Sequence, residues 1–256
     1  MIRISTKRLP FSAGNDVSVI PDSTSVMPDQ IGHLFAKSKW WGFPDLPEDL
    51  DWPSVPVNDE GDEYDDPLTF ICQLRCDELA PFDSEGLLPH EGMLYFFAAL
   101  DYFLGNLDAA VAPGLGEWEA PYFKVLYSPS VENLHTHSLL YDDGSPACLP
   151  EEAISFNMAT GGVEVRRSFL SEAARGGSET GLQCPGAICD GTGLLGHPFF
   201  EEVESEMPGM ISLLQIDEND DWGLRFFDCG MLNFLISPED LAARRWNQVK
   251  VYLHSA

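Results

Sequence analysis

Basic side chains are scarce: 14 Lys and Arg stand against 42 Asp and Glu in 256 residues, a formal net charge of -28. A surface of that sign repels phosphate backbones and anionic headgroups, which argues against nucleic acid and membrane surfaces as partners. It attracts a basic protein, and salt damps that steering beyond about 8 Å at physiological strength. Also missing is any run of about 18 uncharged apolar residues, so no membrane-spanning helix is expected. The opening Met-Ile-Arg-Ile-Ser-Thr-Lys-Arg has basic residues without the apolar segment and cleavage site of a signal peptide. The expectation is a soluble cytoplasmic protein. The six cysteines are then reduced thiols rather than a disulfide framework.

Catalytic signatures are equally thin. There is no G-x-S-x-G elbow and no Gly-Lys-Ser/Thr phosphate loop. Gly191-Thr192-Gly193-Leu194-Leu195-Gly196 matches G-x-G-x-x-G, but it leaves a Cys/Gly/Pro segment and meets Pro198, whereas a dinucleotide turn must leave a strand and open a helix. Cys184 and Cys189, with His197 or Cys148, lack the second cysteine pair of a zinc site. His135 and His137 share one strand face without a third ligand nearby. Asp217, Asn219 and Asp221 begin like a calcium loop, but Trp222 stands where the sharp turn needs Gly. No catalytic residue, metal site or cofactor is assigned.

What is present is a repeat. Phe70-Ile71-Cys72-Gln73-Leu74 precedes Gly92-Met93-Leu94-Tyr95-Phe96, and Ser212-Leu213-Leu214-Gln215-Ile216 precedes Gly230-Met231-Leu232-Asn233-Phe234. Upstream, Gly42-Phe43-Pro44 corresponds to Gly196-His197-Pro198. Order agrees while spacing does not, which predicts loops of different length on a common core. Each apolar run reads as a strand buried on both faces, with Ile71 and Gln73 on one side and Cys72 and Leu74 on the other. A buried amide needs its donors and acceptor matched, so Gln73 and Gln215 are expected to bond neighbouring backbone and tie the halves together, or else to hold a ligand.

Further strands are predicted at 92–97, 122–127, 163–169, 222–227 and 249–254. A short helix fits around 30–37, and Ser237-Pro238-Glu239-Asp240 starts another that runs to near Trp246, with Ser as N-cap and Pro at the first position. Asn58–Asp66 holds six carboxylates in nine residues and is expected to be a mobile surface loop. The class is mainly β with few short helices: a first half at about 38–128, a variable connection at about 129–190 and a second half at about 191–256. Trp40, Trp41 and Trp222 join Gln73 and Gln215 as candidate binding residues, because tryptophan buries large area and keeps an N–H donor.

Ser38-Lys39-Trp40-Trp41-Gly42-Phe43-Pro44-x-Leu46-Pro47, Trp52-Pro53, Phe70-x-x-Gln73-Leu74, Leu88-Pro89-x-x-Gly92-x-Leu94-x-Phe96-Phe97 and Leu213-Leu214-Gln215-Ile216-Asp217 together resemble the YwqG-like family of bacterial proteins. The likeness continues through Asp228-Cys229-Gly230 to Phe234 and Asp240-Leu241. It implies one roll-like domain with duplicated halves and, the family being of unknown function, transfers no catalytic residue. The functional expectation is a non-catalytic binding protein whose acidic surface engages a basic partner, an immunity-type inhibitor of a toxin being one version. The alternative is a small-molecule-binding or metal-dependent enzyme with its site between the halves, near Gln73 and Gln215.

Overall fold

Thr69–Arg75 and Ile211–Asp217 are apolar on both faces apart from one amide each, and such strands are stable only where sheet neighbours and side chains cover them on every side. In the computed structural model, which describes residues 2–7, 34–59, 61–141, 143–158 and 191–255, each lies inside one large antiparallel sheet. The strands are β1 (Ile2–Lys7), β2 (Lys39–Trp40), β3 (Asp45–Pro47), β4 (Ser54–Asp59), β5 (Asp62–Pro67), β6 (Thr69–Arg75), β7 (Met93–Ala98) and β8 (Gly116–Trp118). They continue as β9 (Phe123–Ser128), β10 (Leu134–Thr136), β11 (Glu152–Met158), β12 (Gly193–Gly196), β13 (Ile211–Asp217), β14 (Met231–Ile236) and β15 (Lys250–His254). The main sheet is 11-stranded among the described residues, ordered β8-β15-β14-β13-β12-β1-β11-β2-β6-β7-β9, and the pairs β10-β3 and β4-β5 stand apart from it. The protein is therefore mainly β, as expected.

The sheet rolls up. β14 and β7 are seven strand steps apart in that order, which in a flat sheet would separate them by about 34 Å. Yet the Phe96 and Phe234 rings meet edge to face at 5.3 Å, and Phe234 also touches Phe123 at 6.4 Å. One continuous core fills the roll, built from Cys72, Leu74, Leu94 and Phe96 on one side and Leu214, Ile216, Leu232 and Phe234 on the other.

Both central strands are bulged at the same place. β6 pairs with β7 in a register that shifts between Phe70 and Cys72, and β13 pairs with β14 in a register that shifts between Ser212 and Leu214. An extra residue in one strand reverses the alternation beyond it. Ile71 accordingly packs with Cys72 and Leu74, not opposite them as strict alternation predicts, and Leu213 packs with Leu214 and Ile216. The aligned positions continue: Gln73 faces Tyr95, Gln215 faces Asn233, Phe96 faces Val125 and Phe234 faces Val251. Matching 3-10 turns, Ala120–Tyr122 and Trp246–Gln248, precede β9 and β15.

Several expectations are corrected. The acidic stretch is not a loop but the β4–β5 hairpin, with six paired positions from Ser54↔Pro67 to Asp59↔Asp62. Its base is pinned by Trp52 Nε1 donating to the Leu68 carbonyl at 2.8 Å and by buried Val55, a side chain worth about 1.5–3 kcal/mol when covered. Residues 222–227 form no strand. Asn219 Oδ1 accepts the Trp222 N–H at 3.2 Å and Glu218 Oε1 accepts the Phe226 N–H at 2.8 Å, so side chains take the donors that a ladder would need. The helix begun by Ser237 ends at Ala242, earlier than Trp246. Residues 34–37 form a turn rather than a helix. The strand expected at 163–169 and Cys184 and Cys189 lie outside the described residues, as do residues 30–33 of the expected first helix.

Gly92 and Gly230 open the strands after the bulged ones, and neither tolerates a side chain. A Cβ on Gly92, whose φ is +85°, would lie 2.1 Å from the Ser128 carbonyl oxygen, and one on Gly230 would lie 2.2 Å from that of Phe226. Gly92→Ala is expected to lower the unfolding free energy by more than about 2 kcal/mol, and Gly114→Ala, with open space around it, by less than about 0.5 kcal/mol. Urea unfolding of the two variants checks this; equal stability would contradict the packing described.

Candidate functional site

The densest polar cluster lies where the chain leaves β2 and enters β3. Lys39 sits in β2 between β11 and β6, opposite Ala153 and Gln73. Asp45 opens β3 opposite Thr136. Both are buried, at 1% and 0% exposure, and Lys39 Nζ lies 3.1 Å from Asp45 Oδ2. The same oxygen accepts the Ala36 N–H at 2.9 Å and Gln73 Nε2 at 2.8 Å, while Oδ1 accepts the Thr136 hydroxyl at 2.8 Å. Lys39 also reaches Glu151 Oε2 at 3.4 Å. Tyr95 donates its hydroxyl to the Asp45 carbonyl at 2.7 Å, and burial, with the Asp45 charge second, pushes its phenol well up. A buried charge matched so fully fixes geometry, and removing one partner strands the other.

Gln73 completes the cluster. Its Oε1 accepts the Asp45 N–H at 2.9 Å, and its Nε2 donates to the Lys37 carbonyl at 2.9 Å as well as to Asp45. Gln215 repeats the backbone part: Oε1 accepts the Phe199 N–H at 2.9 Å and Nε2 donates to the Gly191 carbonyl at 2.6 Å. A neighbouring bond is also matched, since Ser38 Oγ accepts the Arg75 N–H at 2.8 Å and Thr192 Oγ1 accepts the Asp217 N–H at 3.1 Å. Trp41 and Leu195, which leave the two first strands, share positive φ values of 52° and 53°. The two segments thus share these bonds, while Lys39 and Asp45 stand where the other has Gly193 and Phe199.

The three tryptophans named from the sequence converge. Trp222 lies 5.2 Å from both Trp40 and Trp41, and all three are at most 7% exposed. Trp222 Nε1 donates to Glu152 Oε2 at 3.1 Å, whereas buried Trp40 Nε1 and Trp41 Nε1 have no partner among the described residues. Trp40, Trp41 and Trp222 belong to the common core. Gln73 and Gln215 are fully buried, so none of the five named residues forms an outer surface.

The accessible features lie elsewhere. The β4–β5 hairpin presents Asp59, Asp62, Glu63 and Asp65 to solvent, with Tyr64 45% exposed beside them. His135 is exposed near Glu48 Oε1 at 3.8 Å. Gly193 and Gly196 bound β12 itself, so the glycine pattern there is a strand and not a turn opening a helix. Among the described residues no group of three His, Cys, Asp or Glu is placed to hold a metal ion, and no helix is long and apolar enough to cross a membrane.

These features define a mainly antiparallel β protein whose polar interior organises the fold. The chain matches the family described as domain of unknown function DUF1963 across residues 38–254 and belongs to that family. No curated protein matches it.

Two measurements test this interior. Gln73→Leu leaves the Asp45 N–H, the Lys37 carbonyl and part of the Asp45 carboxylate unmatched. At about 1–3 kcal/mol per stranded group, more for a charge, Gln73→Leu is expected to cost at least about 2 kcal/mol in denaturant unfolding, and an unchanged midpoint would contradict these bonds. The thiols give a pH dependence. Burial pushes Cys76 up to about 12, Cys148 up to about 11 with help from Glu151, and Cys72 well up. The folded chain therefore keeps protons that unfolded thiols lose near 9.0, so stability is full below pH 9 and falls as pH rises toward 11 and 12. Each thiol contributes a slope of about 1.4 kcal/mol per pH unit in that window. Reducing urea titrations from pH 8 to 10.5 are expected to show the fall, shallower in Cys76→Ala; a flat profile would contradict the burial.

Proposed function

We propose that this protein is a non-catalytic, cytoplasmic binding protein of the YwqG-like kind, and that it engages a basic protein through its acidic surface. The observation that carries this reading is the β4–β5 hairpin, a structured ribbon outside the main sheet whose exposed residues include Asp59, Asp62, Glu63 and Asp65. A mobile acidic loop would lose conformational entropy on docking, and a preformed ribbon loses less. Tyr64, exposed among the carboxylates, adds the kind of aromatic anchor on which protein interfaces concentrate their affinity. An inhibitor that blocks a cationic toxin or nuclease fits this chemistry. The corresponding bulges and glutamine bonds further support an origin by internal duplication, with the hairpin as an insertion peculiar to the first half.

The test is the association rate with a basic globular protein at rising salt. The rate is expected to fall steeply with ionic strength, and by about tenfold in the Asp59→Asn, Asp62→Asn, Glu63→Gln, Asp65→Asn variant at low salt. Capture that is indifferent both to salt and to hairpin charge would sink the proposal.

A further inference from the structure

The segment before β7, the end of β9 and the turn after the last helix border an open cleft of about 420 Å³ lined by residues that include Leu88, Pro89, His90, Tyr127, Pro129 and Arg244. Its charge distribution runs against that of the whole chain. Lys37, Lys39, Arg75, Arg225, Arg245 and Lys250 each have a carboxylate partner. Among the described side chains, only Arg244 and Lys124 have none. Arg244 thus lines the cleft without an ion pair to any described carboxylate.

Its backbone shares a left-handed conformation with six other non-glycine residues among those described. Arg244 has φ +54°, a left-handed conformation that costs a non-glycine residue about 1 kcal/mol or more. Glycine, which occupies ten other positive-φ positions among the described residues, would remove that strain. Two residues before the matching turn at Ala120–Tyr122 stands Trp118, buried and stacked on Phe103 at 5.9 Å; two residues before Trp246–Gln248 stands Arg244, exposed. One position is filled with an aromatic ring and the other holds a cation at the wall of an open cleft.

The remaining walls suit an anion. The half-exposed His90 side chain places Nε2 3.7 Å from Asp83 Oδ2, whose own side chain is 2% exposed. That oxygen is fixed by the Leu88 N–H at 2.7 Å. Tyr127 donates its hydroxyl to the Glu91 carbonyl at 3.1 Å, and burial raises its phenol, an effect the Arg244 charge opposes. Glu91 is the one carboxylate among the described residues lining the cleft.

We propose that this cleft is a binding site for a small ligand bearing one oxyanion, a carboxylate or a phosphate ester, held by Arg244 and by His90 backed by Asp83. Fork-shaped guanidinium donors match either oxyanion in two-point contact. This reading is independent of the acidic hairpin and of the basic partner assigned to it. The test titrates inorganic phosphate and, separately, acetate into the full chain at low ionic strength, following the His90 ring protons by NMR. Saturable binding by either anion, with a rise in the His90 pKa, supports the site, and the better of the two identifies the source of the oxyanion. Arg244→Gln is expected to weaken binding at least tenfold, and Lys124→Gln less than twofold. Arg244→Gly separates binding from folding: relief of the positive φ is expected to leave the melting temperature unchanged or higher while binding is lost. No saturable binding by either anion, or equal effects of Arg244→Gln and Lys124→Gln, would overturn the proposal.

Discussion

Rolling one antiparallel sheet onto itself brings strand exits into the interior, where an unmatched N–H or C=O costs about 1–3 kcal/mol. The fold depends on how the backbone groups flanking those strands are satisfied. On either side of β2, Gln73 supplies an acceptor to the Asp45 N–H and a donor to the Lys37 carbonyl; on either side of β12, Gln215 does the same for Phe199 and Gly191. A primary amide is the side chain that offers both at once without carrying charge. The bulges at Ile71 and Leu213 leave each glutamine facing away from the common core while the residues on either side of it face in.

From that shared device the two segments diverge. Around Gln73 the chain adds charge, with Asp45 receiving four side-chain and backbone donors and Lys39 joining it to Glu151. Around Gln215 the corresponding place holds Phe199, whose ring packs on Phe200 at 5.1 Å. A buried ion pair adds less net stability than an apolar substitute, but it penalises every arrangement in which the partners part. Its gain here is specificity: Asp45 joins β3, β6, β7 and the β10 strand through Thr136, so these elements have one mutual position.

The repeated strands were legible because Phe70–Leu74 and Ser212–Ile216 carry the same order of apolar residues and glutamine, and the role of the amides followed from burial alone. Faces were not legible. Periodicity assumes an unbroken ladder, and nothing in Ile71 or Leu213 marks an extra residue. The acidic hairpin was missed because charge repulsion dominates a local reading, whereas Val55, Trp52 and Leu68 anchor it from outside that window. The buried Lys39–Asp45 pair escaped because charged residues read as surface, and position 45 is the one place in the Lys39–Pro47 stretch that the family resemblance leaves open. Trp40, Trp41 and Trp222 were recognised as a set by type, but their meeting required a loop from the far half. Arg244 and His90 lie in segments without pattern, and only the packing of three distant segments brings them to one cleft.

Hydrogen exchange of the native protein tests the central claim most directly, read at the two amides bonded to glutamine Oε1. The account predicts that the Asp45 and Phe199 N–H groups exchange only through global unfolding, with protection that tracks stability as denaturant is added. Exchange of either amide at the rate of a surface turn, independent of denaturant, would contradict it.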